Sequence, residues 1–203
     1  MIVIIDYGLG NVRSVYAKID QMGASVKISR EIADIENAEK IIIPGVGSFD
    51  AGMKRLHDLQ IIDILKKQVV KEQVPILGIC LGMQLFTQRS EEGNVEGLGY
   101  LDAETKKFSF QDNERCHIPH MGWNTISIRK QSPYLNQIDD ESRFYFVHSY
   151  HVICNDPEDI VAVTNYGYDF PSIIQKDSIV GVQFHPEKSH KQGIQLLKNF
   201  IRN

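Results

Sequence analysis

Apolar residues in the first ninety positions follow two alternating rhythms. Short runs at 2–5, 40–43 and 74–79 have the length of strands and are almost continuously apolar, as expected of strands covered on both sides, and 24–28, where Ser25 and Lys27 alternate with apolar residues, reads as a further strand. Between them the apolar positions recur every three or four residues. Val12, Val15, Tyr16, Ile19 and Met22 mark a helix over 12–22, and similar spacing predicts helices over 50–59, 61–70 and 81–89. Glycine turns close two of the strands, Tyr7-Gly8-Leu9-Gly10-Asn11 after the first and Pro44-Gly45-Val46-Gly47 after the third. The alternation predicts an α/β fold with a mostly parallel central sheet and helices on both faces. Ligands of such sheets bind outside the carboxyl ends of the strands, so segments 8–11 and 45–47 and Cys80 should share one edge.

The pattern changes after residue 100. Segments 100–108, 125–129, 143–153, 160–164, 172–175 and 179–184 all read as strands, and a helix over 193–201 closes the chain. A β-rich second half follows. No repeat or low-complexity linker divides the sequence, and 203 residues with 42% hydrophobic content suffice for one core, so a single domain over 1–203 is expected.

Charge and cysteine usage narrow the function. A net charge of −4, spread along the chain, leaves no basic footprint for nucleic acid and no polybasic tail for a membrane. Small-molecule chemistry or a protein partner fits better. Cys80, Cys116 and Cys154 are far apart and never in a CxxC pair, which argues against a disulfide framework or structural zinc and for a reducing cytoplasm. The N-terminal apolar run lacks a preceding basic segment and meets Asp6 at once, so it reads as a first strand, not a signal peptide. No apolar stretch reaches the length of a membrane span.

Candidate chemistry centres on Gly78-Ile79-Cys80-Leu81-Gly82, a cysteine between two glycines where a buried strand gives way to a helix. This reads as a nucleophile elbow: flanking residues without side chains let two backbones approach while the thiol projects. A thiol nucleophile needs a base, and the base an orienting carboxylate. His185-Pro186-Glu187 offers both, immediately after a strand. Acyl transfer also needs an oxyanion hole. The N–H of Leu81 supplies one donor, and the loop containing Val46 and Gly47 is the best source of a second. The Gly8-Leu9-Gly10 turn lacks the third glycine of a dinucleotide fingerprint. His117, His120, His148 and His151 do not suggest a metal site, since positions three apart on one strand, as 148 and 151 are expected to be, face opposite ways.

GICLGMQ together with GVQFHPE resembles the class I, triad-type glutamine amidotransferases. PGVGSF, SEEG, PHMGWN and YFVHSYH make the chain similar to the branch that serves as glutaminase subunits of imidazole glycerol phosphate synthases, along nearly all its length. The resemblance implies that Cys80 attacks the side-chain amide of glutamine, His185 protonates the departing ammonia and Glu187 orients His185. It places Gln84 and Glu92 beside the bound glutamine, with Ser149 and Tyr150 at its α-amino and carboxylate end. No cofactor is implied. The implied partner is a (βα)8-barrel cyclase that uses the ammonia to make imidazole glycerol phosphate and AICAR from PRFAR in histidine biosynthesis. Asn11, Trp123, Tyr145 and Lys188 fall at the implied interface, Trp123 being read as a loop residue. The resemblance further implies slow hydrolysis until the partner binds its substrate, because the Val46–Gly47 peptide is misoriented at rest.

His151 and the Lys188-Ser189-His190 ending are also similar to branch members that feed ammonia to a sugar-modifying amidotransferase in surface-polysaccharide synthesis. Outside the class, an intracellular cysteine peptidase would share the elbow and the histidine but gives no reason for the HPE spacing. A catalytically silent scaffold gives no reason for an intact Cys80, His185 and Glu187.

Overall fold

The computed structural model describes residues 1–111 and 116–203. In chain order these form β1 (Ile2–Ile5), α1 (Val12–Asp20), β2 (Val26–Ser29), α2 (Ile32–Glu36), β3 (Lys40–Gly45), α3 (Phe49–Asp58), α4 (Ile62–Lys66), β4 (Ile76–Cys80) and α5 (Leu81–Gln84). There follow β5 (Arg89–Ser90), β6 (Val95–Glu96), β7 (Ala103–Lys107), β8 (His120–Thr125), β9 (Ser127–Ile128), β10 (Arg143–His148) and β11 (Tyr150–Cys154). The chain ends with β12 (Ile160–Tyr166), β13 (Tyr168–Lys176), β14 (Ile179–Val182) and α6 (His190–Arg202).

The central sheet has eight strands in the order β2-β1-β3-β4-β14-β13-β12-β9. From β2 to β14 the pairing is parallel, and from β14 to β9 it is antiparallel. Side chains alternate across it and divide the apolar residues into two cores. Ile2, Ile4, Ile42, Leu77, Ile79, Val180 and Val182 pack with Val15 and Ile19 of α1 and Leu196, Leu197 and Phe200 of α6. Val3, Ile5, Ile41, Ile43 and Ile76 face the other way, onto Ile35 of α2, Phe49 and Leu56 of α3 and Leu65 of α4. This two-sided burial explains the unbroken apolar runs of the parallel strands. A four-stranded sheet, β11-β7-β5-β6, and the pair β10-β8 complete the β-rich second half.

The pairing of β14 with β4 is what matters for function. Gly181 lies opposite Gly78 and Val182 opposite Ile79, so the chain leaving β14 emerges beside Cys80 although a hundred residues separate them. On the other flank Gly45 of β3 lies opposite Cys80. The elbow is very close-packed. A Cβ on Gly82 would lie 1.8 Å from the Ile43 carbonyl oxygen, and one on Gly78 would lie 2.6 Å from the Met83 nitrogen. Cys80 itself has φ +53°, an unusual conformation for a residue with a side chain.

Several elements depart from the sequence expectation. The helix expected over 81–89 ends at Gln84, because the carbonyls of Leu85, Phe86 and Thr87 accept hydrogen bonds from the backbones of Leu98, Tyr100 and Gly99 instead of continuing the helix. The helix expected over 61–70 loosens into a wide turn at Lys67–Lys71. The single strand expected over 143–153 is two, β10 paired with β8 and β11 with β7, with Ser149 between them giving its carbonyl to the Phe108 N–H. His148 and His151 are therefore on strands of different sheets, and the opposite-face argument against a shared metal does not apply to them. Trp123 is not in a loop: it lies in β8, paired with Tyr145 of β10. The short helix α2 and the strand β8 had no clear periodic signal.

Backbone proximity at the elbow predicts an asymmetry between glycines. Gly82→Ala should lower the free energy of unfolding by about 3 kcal/mol in urea titrations. Gly8→Ala, where φ is +84° but no atom lies within 4 Å of the new Cβ, should cost only about 1 kcal/mol.

Candidate active site

Cys80, at the end of β4, and His185, three residues beyond β14, lie at the same carboxyl edge because their strands are neighbours. His185 Nδ1 is 2.9 Å from Glu187 Oε1, and both side chains are almost wholly buried. The proline between them starts a short 3₁₀ turn, Pro186–Lys188, that brings the carboxylate back onto the ring. The His185 backbone is fixed at both ends: its N–H donates to the Tyr145 carbonyl at 2.9 Å, and its carbonyl accepts from Ser189 Oγ at 2.6 Å. Nε2 is buried without a hydrogen-bond partner. Burial pulls the His185 pKa down, but the Cys80 side chain and then Glu187 more than offset this and push it up to about 10. At neutral pH the ring is therefore protonated, beside the cysteine, and stabilised from behind by a carboxylate.

A cavity of about 300 Å³ opens at Cys80, at the small end of the range for ligand sites. Val46, Gly47, Leu81, Gln84, Glu92, Ser149 and Tyr150, all singled out in the sequence, line it, as do Pro119, Val147 and His148. Gly47 has φ +111°, so its peptide can take orientations closed to other residues. The glycine turn after β1 packs under this loop: a Cβ on Gly10 would lie 2.8 Å from the Pro44 carbonyl oxygen. Glu92 also has a structural task, since Oε2 accepts from the Phe49 N–H at 2.8 Å at the start of α3. Its pKa is raised, chiefly by burial, against the lowering effect of that hydrogen bond. The Gln84 amide nitrogen is engaged with the protein, donating to the Tyr150 carbonyl at 2.8 Å and to Gln183 Oε1 at 3.1 Å.

Gln183 was missed in the sequence. It is wholly buried, directly before Phe184 and His185, and its Nε2 lies 3.7 Å from Cys80 Sγ. Its one sequence signal is a polar residue within an otherwise apolar run, 179–184. Three of the four positions singled out for an interface come together outside the cavity. The Trp123 and Tyr145 rings meet edge to face at 6.0 Å, and Lys188 Nζ lies 5.8 Å from the centre of the Tyr145 ring. His190 joins them, stacked on Trp123 at 5.0 Å with the planes 5° apart. Asn11 precedes α1, its side chain accepting from Ser14 Oγ at 2.7 Å. His120, His148 and His151 pack around Phe108, and burial lowers the pKa of each, that of His120 to about 4. Among the described residues no group of three His, Cys, Asp or Glu is arranged to hold a metal ion.

A buried thiol at a strand–helix elbow, a carboxylate-backed histidine on the neighbouring strand and a small polar cavity define a cysteine-dependent acyl-transfer site. The model of the family "Glutamine amidotransferase class-I" matches residues 3–203, and the chain belongs to that family of enzymes. Within it the chain is similar over its full length to subunits named imidazole glycerol phosphate synthase subunit HisH. It is 50% identical to HisH 2 of Methanococcus maripaludis, covering 100% of this chain and 99% of that one. Identity is 48% to HisH 2 of Pseudomonas aeruginosa, over 99% and 98%, and 49% to HisH 1 of Campylobacter jejuni, over the whole of both. Among solved structures, a glutamine amidotransferase superposes with a TM-score of 0.72 at 18% identity, over 98% of this chain and 97% of that one. PurLQS from Thermotoga maritima gives 0.70 at 18%, over 99% and 97%.

The raised pKa of His185 has a consequence for stability. In the unfolded chain the group titrates near 6.5, so the stabilisation of its charged form is complete below that pH and is lost as pH rises through about 10. The difference in unfolding free energy between wild type and His185→Gln should therefore shrink steadily across that interval in denaturant titrations. A difference that is flat with pH would contradict the assigned ion pair.

Proposed function

We propose that this chain hydrolyses L-glutamine to glutamate and ammonia and hands the ammonia to a (βα)8-barrel cyclase that makes imidazole glycerol phosphate in histidine biosynthesis. Residues 1–203 act as one amidotransferase unit, in the cytoplasm, as half of a heterodimer. The observation that carries the reading is the adjacency of β4 and β14, which brings Cys80 to the Glu187-backed His185. Full-length identity of 48–50% to HisH subunits supports the pathway. Among the described residues no helix is long and apolar enough to cross a membrane.

Each step has a residue to perform it. The Cys80 thiolate attacks the side-chain carbonyl carbon of glutamine, and the developing oxyanion is stabilised by the N–H of Leu81 and a peptide N–H of the Val46–Gly47 loop. Protonated His185 gives its proton to the leaving nitrogen, so ammonia departs and a γ-glutamyl thioester remains on Cys80. His185, now neutral, removes a proton from water as it attacks the thioester. Glutamate leaves, and the thiolate–imidazolium pair is restored. Glu187 keeps Nδ1 protonated throughout. Gln84 and Glu92 lie beside the bound glutamine and Ser149 and Tyr150 at its α-amino and carboxylate end, with the Gln84 amide also holding the Tyr150 carbonyl.

Ammonia released to water at neutral pH is protonated and lost as a nucleophile, so the reaction is useful only when a partner receives it in a shielded path. The cluster of Trp123, Tyr145 and Lys188, with Trp123 39% exposed, is suited to anchor that partner, and Asn11 extends the surface. The HisH relatives of Methanococcus maripaludis, Pseudomonas aeruginosa and Campylobacter jejuni all bear the numeral 1 or 2, which supports a second reading in which the ammonia goes to a sugar-modifying partner.

Cys80→Ala should reduce ammonia release from glutamine by about a thousandfold or more in a coupled assay. Trp123→Ala should weaken association with the cyclase at least about tenfold by calorimetry. Stimulation of glutaminase by the cyclase with its nucleotide substrate is expected. Stimulation by a sugar-modifying partner alone would overturn the histidine-pathway assignment.

A further inference from the structure

The amide of Gln183 has only one orientation open to it. The Tyr150 carbonyl can only accept, so the Gln84 atom 2.8 Å from it is the amide nitrogen. That same nitrogen lies 3.1 Å from Gln183, so the Gln183 atom facing it is Oε1. The other end of the Gln183 amide, 3.7 Å from Cys80 Sγ, is therefore the NH₂ group, a donor aimed at sulfur. The anchor is itself anchored. His148 Nδ1 lies 2.8 Å from the Tyr150 carbonyl and must carry a proton, which makes Nε2 an acceptor for His120 Nδ1 at 3.0 Å. Asn124 Nδ2 then donates to His120 Nε2 at 3.3 Å. Gln84, Gln183, His120 and His148 are all buried, so water does not compete for these bonds.

The surroundings of the sulfur make this donor significant. In its neutral form the Cys80 thiol can donate only to the Val147 carbonyl, 3.9 Å away, a contact that the thiolate cannot make. Gln183 has the opposite preference, because an N–H donated to an anion makes a stronger bond than one donated to a neutral thiol. It cannot titrate, and it cannot rotate to present its oxygen without breaking the bond from Gln84.

We propose that Gln183 is a further catalytic residue, a fixed amide donor that stabilises the Cys80 thiolate before attack and each time it is expelled from the thioester. The proposal rests on Cys80 as the nucleophile of the glutaminase reading. It assigns His120, His148 and Asn124 a positioning role, through Tyr150 and Gln84.

The test is the pH dependence of alkylation of Cys80 by iodoacetamide, followed on the Cys80 peptide by mass spectrometry, in the full-length chain and two variants. Gln183→Met keeps the shape and removes the donor. Gln183→Glu also keeps an acceptor for Gln84, so it carries the test if the first variant unfolds. The alkylation midpoint should rise by about one pH unit in the Met variant and further in the Glu variant, where a carboxylate faces the sulfur. The kcat for glutamine should fall about tenfold or more with KM little changed. A folded variant with the wild-type alkylation profile would overturn the proposal. Absence of glutaminase activity in the wild-type chain even with the cyclase and its nucleotide substrate present would instead overturn the underlying reading, and the alkylation profiles would still decide the role of Gln183.

Discussion

The structure depends on one close crossing of backbones. Where β4 turns into α5, Gly82 passes so near the Ile43 carbonyl of β3 that no side chain fits, and Gly78 is also confined, though less tightly, against Met83. The intervening Cys80 is held at φ +53°, with its thiol at the floor of a cavity, not buried between the sheet and a helix. A conformation this unfavourable for a residue with a Cβ persists only where its surroundings fix it, and here the two apolar cores on either face of the sheet do so. The strained backbone belongs to the residue proposed as the nucleophile.

The second constraint is strand order. By inserting β14 beside β4, the fold makes the last strand of the sequence deliver Gln183, His185 and Glu187 to the cysteine delivered by the fourth. The HPE turn is also tied to β10: His185 donates to the Tyr145 carbonyl, and Ser189 Oγ accepts from the Tyr145 N–H while donating to the His185 carbonyl. Tyr145 is in turn the residue over which Lys188 sits and against which Trp123 packs. His185 and the proposed docking patch therefore share one small hydrogen-bonded unit. A partner that shifts β10 acts directly on the backbone that carries the base.

The parallel half of the sheet was legible because burial on both faces leaves a distinctive trace, continuous apolar runs such as Ile2–Ile5 separated by amphipathic segments. The residues proposed as the triad could be picked out because GICLG and HPE are local patterns with local causes. What could not be read is set by long-range pairing. Nothing near residue 85 announces that Leu98, Gly99 and Tyr100 will take the carbonyls a helix needs, and nothing in 143–153 marks Ser149 as the point where one strand leaves for another sheet. The same holds for Gln183, whose meaning comes from register with Cys80, and for His190, whose stacking on Trp123 requires β8 to be a strand.

The central claim is that Cys80 forms a covalent acyl intermediate while the rest of the fold holds it ready. It is tested most directly by mass spectrometry of the protein quenched in acid during turnover of glutamine. A γ-glutamyl adduct confined to the Cys80 peptide is expected, appearing before steady-state glutamate release and absent in Cys80→Ala. Ammonia released without any adduct on Cys80, or with the adduct on another residue, would contradict the account.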